Sequence, residues 1–320
     1  MGFAAEFVRR APPSFPPGFA FGWGDDRFGL WADARVLPHV VTHEAMAVQR
    51  FRWIEPGLFL MGSPSDEVER WGDEGPQHSV ELSRGFWLAD TACTQSLWQA
   101  AMGDNPSRFT GDDQSPVESV SWDRVQEFLV RVNARWPGVS AELPTEAEWE
   151  YACRAGSASA FWFGNNIDPS RVNYDGNYPY ADGVKGEYRG RTVPVKSLPP
   201  NSWGLYQMHG NVFEWCADGT RRYTDERQVD PRGEAEELVR VVRGGSWSSL
   251  ARNARSARRF ADPQDFADDR IGFRFCLRSR EPGTDGQLVP PGRRDARQPG
   301  GLAPEGVAAR LLRRIRGKGK

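Results

Sequence analysis

The stretch GLYQMHGNVFEW at residues 204–215 is the most informative part of this 320-residue chain. It contains the first short apolar stretch after a segment between Gly156 and Pro200 that is dominated by Gly, Asn, Asp and Pro. Further apolar pieces follow at residues 239–242 and 271–277. Because Gly, Asn, Asp and Pro favour turns and loops, the pattern predicts an α+β chain with few regular elements and long, ordered loops.

Regular elements are predicted mainly upstream of that stretch. One helix follows Thr94 and ends near Gly103, and a second follows Ser121. A third helix opens at Thr145, where Glu148 occupies the N3 position of a capping box. Strands are predicted at residues 49–54, 58–62, 80–82 and 85–88.

The composition is that of an ordinary globular protein with many large aromatic residues. Charged residues at 26% and hydrophobic residues at 39% argue against a disordered chain. The 13 Trp and 18 Phe can pin a loop-rich core, since each large aromatic side chain buries roughly 150–250 Å². No C-x-x-C pair occurs, so buried free thiols are favoured over a zinc site or disulfides for Cys93, Cys153, Cys216 and Cys276.

Composition and charge together divide the chain into three parts. Residues 1–46 form an aromatic, glycine-rich extension that we expect to dock, residues 47–281 form the main domain, and residues 282–320 form a tail predicted to be disordered. The tail has nine Lys and Arg against three Asp and Glu, a net charge of +6, which leaves −8 for the rest and no general basic field. This tail is either a solvated segment or a contact for a protein partner or an acidic surface. Without a signal peptide or a transmembrane run of ~20 apolar residues, we expect a cytoplasmic location.

Six motifs together resemble the formylglycine-generating enzyme family, which is also called the sulfatase-modifying-factor domain. They are PGLFLMGS at 56–63, PVESVSW at 116–122, LPTEAEWEYA at 143–152, the stretch at 204–215, RGGSW at 243–247 and IGFR at 271–274. They occur in the family's order and cover roughly residues 50–278. The resemblance implies a C-type-lectin-like α+β fold whose long loops build a groove for an extended peptide.

The resemblance also shows where this chain departs from the family's chemistry. In the family's oxidases, two cysteines shortly after the RGGS motif bind copper(I), which prefers soft thiolate ligands. Ser249 and Ala254 stand at those positions here. A related branch binds iron through three histidines, but His39 and His43 of this chain are expected to be ordinary loop residues. We therefore expect neither copper nor iron, and we assign no catalytic residue.

Structural calcium is the one cofactor that the resemblance implies, because loop carboxylates, amides and carbonyls offer the hard oxygen ligands that Ca²⁺ takes. One implied site uses Asn173, Tyr174, Glu187 and Arg189, the second and fourth through their carbonyls. The other implied site uses Gln207, Gly210, Val212 and Glu214, and it lies within a gap-free motif. Alternatively, Glu214 pairs with an arginine and Asn211 caps the turn.

The segment between the RGGSW and IGFR motifs corresponds to the wall of the family's substrate groove. The residues expected to bind a ligand are Trp247, Ser248, Ser249, Leu250, Arg255, Arg258, Phe260, Phe266 and Asp268. Phe and Arg side chains suit recognition, and Arg252, Arg255, Arg258 and Arg259 would favour acidic ligands. Alternatively, several of these arginines form structural ion pairs with Asp262, Asp265, Asp268 and Asp269.

The favoured function is a non-catalytic binding module that recognises a peptide or protein ligand in this groove. One alternative is a metal-dependent oxidase of altered chemistry that acts on a peptide side chain. Another is a ligand-binding protein of the kind that diversity-generating retroelements vary, or a component of a bacterial signalling or defence system. The sequence supports the first because its scaffold motifs are present while a recognisable redox centre is not.

Overall fold

A computed structural model describes residues 11–15, 17–36, 47–136, 138–234 and 238–279 of the chain. Within these residues, the predicted capping residues mark the helix boundaries. The α-helices are α1 (Gln95–Met102), α2 (Trp122–Asn133) and α3 (Glu146–Arg154). Thr94 caps α1 through its side chain, and Gly103 ends the helix in the left-handed conformation. The Thr145–Glu148 capping box is present, with reciprocal hydrogen bonds of 3.2 and 2.8 Å. These three helix predictions are confirmed.

The strands of the described residues form three sheets. The strands are β1 (Gly22–Asp26), β2 (Gly29–Val36), β3 (Ala47–Ile54), β4 (Gly57–Met61), β5 (His78–Leu82), β6 (Phe86–Ala89), β7 (Val139–Glu142), β8 (Phe213–Gly219), β9 (Gln228–Val229), β10 (Val239–Arg243), β11 (Arg259–Pro263), β12 (Ile271–Gly272) and β13 (Cys276–Ser279). Their orders are β1-β2-β3-β6-β13-β7, β11-β10-β8-β12 and β4-β5-β9. The four strands predicted near the N-terminal end of the main domain correspond to β3, β4, β5 and β6.

The N-terminal extension docks as part of the largest sheet. β1 and β2 form an antiparallel hairpin, and β2 pairs with β3 from Trp31↔Arg52 to Val36↔Ala47. Arg50 and Asp33 tie the hairpin down with two hydrogen bonds of 2.7 and 2.9 Å. The hairpin of the N-terminal extension therefore adds two strands to the sheet of the main domain, beside β3.

Aromatic side chains fill the core between this sheet and helices α1 and α2. Trp98 of α1 stacks on Phe128 of α2 with ring centroids 5.5 Å apart. Phe128 in turn contacts Phe273 and Phe275 edge to face at 5.2 and 5.6 Å. The expected core of large aromatics is thus present, and it supports a fold with short regular elements.

Between Ala155 and Val212, all of which is described, the chain forms neither a helix nor a strand. This long loop is nevertheless held in place, because Asn173 forms an isolated bridge with Gly210 and Asp175 forms another with Tyr188. The loop borders the predicted ligand-binding segment. His39, His43 and the basic tail lie outside the described residues, and no helix within the described part is long and apolar enough to cross a membrane.

Candidate functional site

Glycine positions bring the two central motifs together. Gly210 has a φ of +71°, and a Cβ there would lie 2.2 Å from the Asn173 carbonyl oxygen. Its amide donates to the carbonyl of Gly244 at 2.8 Å, and the Trp247 amide donates to the carbonyl of Asn211 at 2.8 Å. A larger residue at position 210 would separate these chains. The stretch at 204–215 therefore forms the base on which residues 246–254 rest.

Ser249 and Ala254, at the positions of the expected thiolate pair, face the protein interior. The Ser249 Oγ accepts a 2.9 Å hydrogen bond from the Ser246 amide and lies 3.2 Å from the Ser246 Oγ. Ala254 is fully buried. Its Cβ lies 3.1 Å from the position that a Cβ on Gly245 would take. A hydroxyl and a methyl group in these positions do not fit a copper(I) centre, which needs thiolates.

His209 is also unavailable to activate Ser249. Its Nδ1 donates to the Ala254 carbonyl at 2.7 Å, and its Nε2 accepts from the Trp162 amide at 3.2 Å. Because one partner can only accept and the other can only donate, the ring is held in its neutral Nδ1–H tautomer. Burial is the main cause that lowers the pKa of His209 to about 4. Both ring nitrogens therefore serve the structure.

The four cysteines are free and buried, as the sequence predicted. Burial raises the pKa of Cys153 and of Cys276 to about 12, and it raises the pKa of Cys93 and Cys216 well above the ordinary range. A reactive or metal-binding cysteine has a lowered pKa instead. These thiols therefore behave as small apolar core residues.

An aromatic surface, defined here as Phe109, Tyr188 and Trp247, borders the base. Tyr188 is 40% exposed, and it stacks on Trp247 with ring centroids 6.2 Å apart. Phe109 contacts the same indole edge to face at 5.2 Å. The Trp247 Nε1 donates to the Asp269 carbonyl at 3.0 Å, which fixes the indole in place. Half-buried Ser248 and Leu250 follow directly in the chain.

Arg255 does not line this surface, contrary to the prediction from sequence. It is completely buried and donates to both carboxylate oxygens of Glu74, at 2.7 and 2.6 Å. Its second carboxylate partner is Glu67. Arg259 likewise forms two hydrogen bonds of 2.6 and 2.8 Å with buried Glu146. Both arginines therefore form structural ion pairs, but with glutamates from distant segments of the chain and not with the predicted aspartates.

Arg258 and Phe260 form a second aromatic contact. The Arg258 guanidinium carbon lies 3.8 Å from the Phe260 ring centroid and 4.5 Å from that of Trp71. Burial lowers the pKa of Arg258 to about 10. This cation is therefore clamped between two rings and is not free to attract an acidic ligand.

The remaining predicted residues of the segment lie near its end. Phe266 is half-buried and packs against the main core. Asp268 binds Arg270 through hydrogen bonds of 2.6 and 2.8 Å. Two of the four aspartates that were predicted to pair with the segment's arginines have other partners. Asp268 pairs with Arg270, and Asp269 pairs with Arg108.

The implied calcium site within the 204–215 motif has a competing partner. Glu214 accepts two hydrogen bonds from Arg274, at 2.7 and 2.8 Å, and one of 2.7 Å from the Trp149 indole. Arg274 already neutralises the carboxylate that a calcium ion would need. Gln207, Gly210 and Val212 are buried. The structure therefore agrees with the alternative interpretation, in which Glu214 pairs with an arginine.

The other implied calcium site suits a hard cation better. Asn173 is fully buried, and its Oδ1 lacks a hydrogen-bond partner among the described residues. Its Nδ2 donates to the Arg191 carbonyl at 2.9 Å and to the Asn211 Oδ1 at 3.0 Å, which leaves the amide oxygen as the free acceptor. The exposed Glu187 carboxylate lies 3.0 Å from Arg189. A buried, unpaired oxygen is the feature that a calcium ion would satisfy. Among the described residues, His, Cys, Asp and Glu side chains form no cluster of three that could hold a metal.

Sequence reasoning missed Phe109 and Tyr188 as surface residues, and Glu67 and Glu74 as the partners of Arg255. The pairing of Arg255 with Glu74 spans 181 positions. No local pattern reveals such a contact. Tyr188 is one of several aromatic residues in the same loop, so the local composition did not single it out either.

Comparison with known proteins places this geometry in context. A family model described as the sulfatase-modifying factor enzyme 1-like domain matches residues 38–279. The formylglycine-generating enzyme of Streptomyces coelicolor is 33% identical over 286 residues, which cover 83% of this chain and 87% of that protein. A cattle protein named inactive C-alpha-formylglycine-generating enzyme 2 is 34% identical over 205 residues, covering 62% of this chain and 60% of that protein. The chain spans about half the length, 52%, of other mammalian relatives.

A solved structure supports the same fold. Treponema denticola variable protein 1 superposes with a TM-score of 0.63 at 25% identity, covering 76% of this chain and 98% of that chain. The C-type-lectin-like α+β fold, rich in loops and short elements, is thereby confirmed. These similarities concern the scaffold as a whole.

Proposed function

We propose that this chain, which belongs to the family of the sulfatase-modifying factor enzyme 1-like domain, is a non-catalytic module that binds a peptide or protein ligand. The observation that carries the proposal is the state of Ser249 and Ala254. Ser249 is occupied by Ser246 through a 2.9 Å hydrogen bond, and Ala254 is fully buried. With these side chains the scaffold keeps its surface but lacks the thiolates for copper-dependent oxidation.

The aromatic surface supports ligand binding. Tyr188 offers an exposed ring backed by the fixed indole of Trp247. Pre-ordered aromatic side chains bind with a small loss of conformational entropy, and they are frequent among the residues that dominate binding energy. Arg191 is exposed beside this surface, 6.0 Å from the Phe109 ring centroid. An extended peptide with an apolar or aromatic anchor is therefore the ligand class that we expect.

A peptide-display selection on the full chain tests this proposal. Peptides enriched on the wild-type protein should lose roughly tenfold or more in affinity for Tyr188→Ala, because truncating a central aromatic residue costs about 1–2 kcal/mol or more. Trp23→Ala is the matched control, since Trp23 is also exposed, at 48%, but lies in β1. Equal loss in both variants would contradict the assignment of the surface.

Metal analysis with an oxygen-uptake assay addresses catalysis. The purified chain should consume no oxygen above background with enriched peptides, whether or not copper(I) or iron(II) is added. Stoichiometric copper or iron with oxygen uptake would instead support the alternative of a metal-dependent oxidase. Restoring both thiols, by Ser249→Cys with Ala254→Cys, is the positive control for metal loading.

Calcium is proposed as a structural ion at the site of Asn173, Tyr174, Glu187 and Arg189. The unpaired Asn173 Oδ1 supports this choice over the site that contains Glu214. Adding calcium to the chelated protein should raise the melting temperature, and Glu187→Gln should diminish the increase. Since Glu187 is largely exposed, the variant should fold without calcium. No change on chelation would refute a bound calcium ion.

A variable ligand-binding protein is the second candidate function, favoured by the similarity to Treponema denticola variable protein 1. Sequencing the gene across isolates tests it. Substitutions should then concentrate at exposed or half-buried positions such as Ser248 and Leu250, and should spare the buried Arg255. An even spread of substitutions along the chain would argue against this candidate.

A further inference from the structure

The outer edge of β4 is an unpaired strand edge that carries two exposed leucines. β4 ends the sheet β4-β5-β9, and within the described residues no strand pairs with its other side. Leu58 and Leu60 are 55% and 51% exposed, whereas Phe59 packs on Tyr151 and Met61 is buried. A strand edge with exposed apolar side chains is a template for pairing with another strand.

The backbone of this edge points outward at the two leucines. The Asp230 amide donates to the Glu81 carbonyl at 2.9 Å, so the backbone groups of Glu81 face β9. Because these groups alternate in direction along a strand, those of Val80 face β4, where Phe59 lies opposite. The N–H and C=O groups of the two leucines consequently point away from β5. They form no hydrogen bond with the described residues outside the sheet.

Other strands at sheet edges carry charged residues, which discourage pairing with a further strand. β1 contains Asp25 and Asp26, β11 contains Arg259 and Asp262, and β7 ends at Glu142. β9 and β12 are uncharged, but each has only two residues. In the described part of the chain, β4 is thus the longest edge strand without a charged side chain.

The β4 edge is complementary to itself. When two β4 strands lie antiparallel about a two-fold axis at Phe59, Leu58 of each chain is opposite Leu60 of the other. Both residues direct their N–H and C=O groups outward, so each opposed pair can exchange both of its N–H···O hydrogen bonds. Leu58 and Leu60 also share one face of the strand, so leucine meets leucine across the junction on that face.

We propose that the β4 edge pairs with the same edge of a second copy of this chain. The two sheets would join into one, in the order β9-β5-β4-β4-β5-β9. Because both chains use the same edge, the contact closes at a dimer and leaves no β4 edge for a third chain. Two short strands bury less than the roughly 1,200–2,000 Å² of a standard interface, so the dimer should dissociate on dilution.

Sedimentation velocity of the full chain over a range of concentrations tests the proposal. The weight-average sedimentation coefficient should rise with concentration and level off at the value of a dimer. Leu60→Lys should raise the dissociation constant roughly tenfold or more, because the junction loses leucine contacts and gains a lysine from each chain. Val229→Lys is the matched control and should leave the dissociation constant unchanged. Val229 is 56% exposed in the same sheet, but it lies in β9 at the opposite edge.

Cysteine cross-linking tests the register of the two strands. The Cα atoms of opposed residues that exchange hydrogen bonds lie about 5.5 Å apart, which a disulfide can bridge. Residues at the same position of the two chains lie diagonally, about 7–8 Å apart. Under mild oxidation, a mixture of the Leu58→Cys and Leu60→Cys chains should therefore give mainly mixed disulfides, and either variant alone should cross-link poorly. The four native cysteines are buried and should not compete.

Three results would overturn the proposed dimer. They are a chain that stays monomeric up to its solubility limit, association that Leu60→Lys leaves intact or that continues past the dimer, and cross-linking without preference for the mixed pair. No peptide takes part in these measurements, so their outcome is independent of the proposed ligand binding.

Discussion

The two parts of the segment between residues 246 and 268, a first half at residues 246–254 and a second half at residues 255–268, differ in what their charged and aromatic side chains contact. The first half places Trp247 beneath exposed Tyr188, where a ligand can reach the rings. The second half buries Arg255 and Arg259 in ion pairs with glutamates. One half therefore presents a surface while the other anchors it.

The difference shows that a charged residue beside a groove has to be judged by its partners. A buried charge is stable only when it is paired and hydrogen-bonded. Arg255 meets that condition through Glu67 and Glu74, and so it cannot attract an acidic ligand. The predicted positive field of the segment is largely neutralised, which supports placing the proposed ligand recognition at the aromatic surface.

Replacing Arg255 by alanine should have the largest effect on this comparison. The substitution leaves the buried Glu74 carboxylate unpaired, and breaking one side of a buried ion pair costs about 3–5 kcal/mol of unfolding free energy. Chemical denaturation measures the loss. Arg252→Ala is the matched control, because Arg252 is 43% exposed and lies 3.9 Å from Glu69, and it should cost less than about 1 kcal/mol. Similar losses in both variants would erase the distinction between the halves.

Acidification should lower the stability of the fold through His209, which donates to the Ala254 carbonyl from beneath the segment. Burial lowers the pKa of this ring from its ordinary 6.5 to about 4. A depressed histidine pKa stabilises the folded chain fully above pH 6.5, and that stabilisation is lost as the pH falls from 6.5 through 4. The shift corresponds to about 3 kcal/mol of unfolding free energy.

Denaturation curves between pH 7 and pH 4 measure this dependence, and His209→Gln should remove it. The comparison is made between slopes, because the substitution also changes the stability at pH 7. Asp218 contributes with the opposite sign, since burial raises its pKa to about 6. Asp218→Asn should therefore steepen the net loss of stability on acidification. An unchanged slope in His209→Gln would show that other groups dominate.

Removing the ring of Trp71 should have a moderate effect. Trp71 and Phe260 enclose the Arg258 guanidinium, and one partly exposed cation–π contact is worth about 0.5–1 kcal/mol. Trp71→Ala should lower the unfolding free energy by about that amount and should leave peptide affinity unchanged. Val68→Ala, at a residue of similar exposure (49% against 45%), serves as the control. Loss of peptide binding in Trp71→Ala would extend the recognition surface into the second half.

Local signals in the sequence predicted much of the frame. Thr94, Thr145 and Glu148 encode helix caps within a few positions, so the helix boundaries followed from the sequence. The site was harder, because Arg255 is paired across 181 and 188 positions and Tyr188 reaches Trp247 from another loop. Family resemblance pointed to the segment between residues 246 and 268, and burial in the structure separates its exposed side chains from its buried ones.

Substitution of Ser248 should have the smallest effect on stability, and it tests the exposed half directly. Ser248 is half-buried and makes only long contacts of 3.4 Å with Ser246. Ser248→Ala should change the unfolding free energy by less than about 0.5 kcal/mol, as expected for a surface position without a structural partner. Ser246→Ala is the informative neighbour, since Ser246 is fully buried beside Ser249. A larger loss in Ser248→Ala than in Ser246→Ala would mean that the surface half is itself an anchor, and the division of roles within the segment would have to be redrawn.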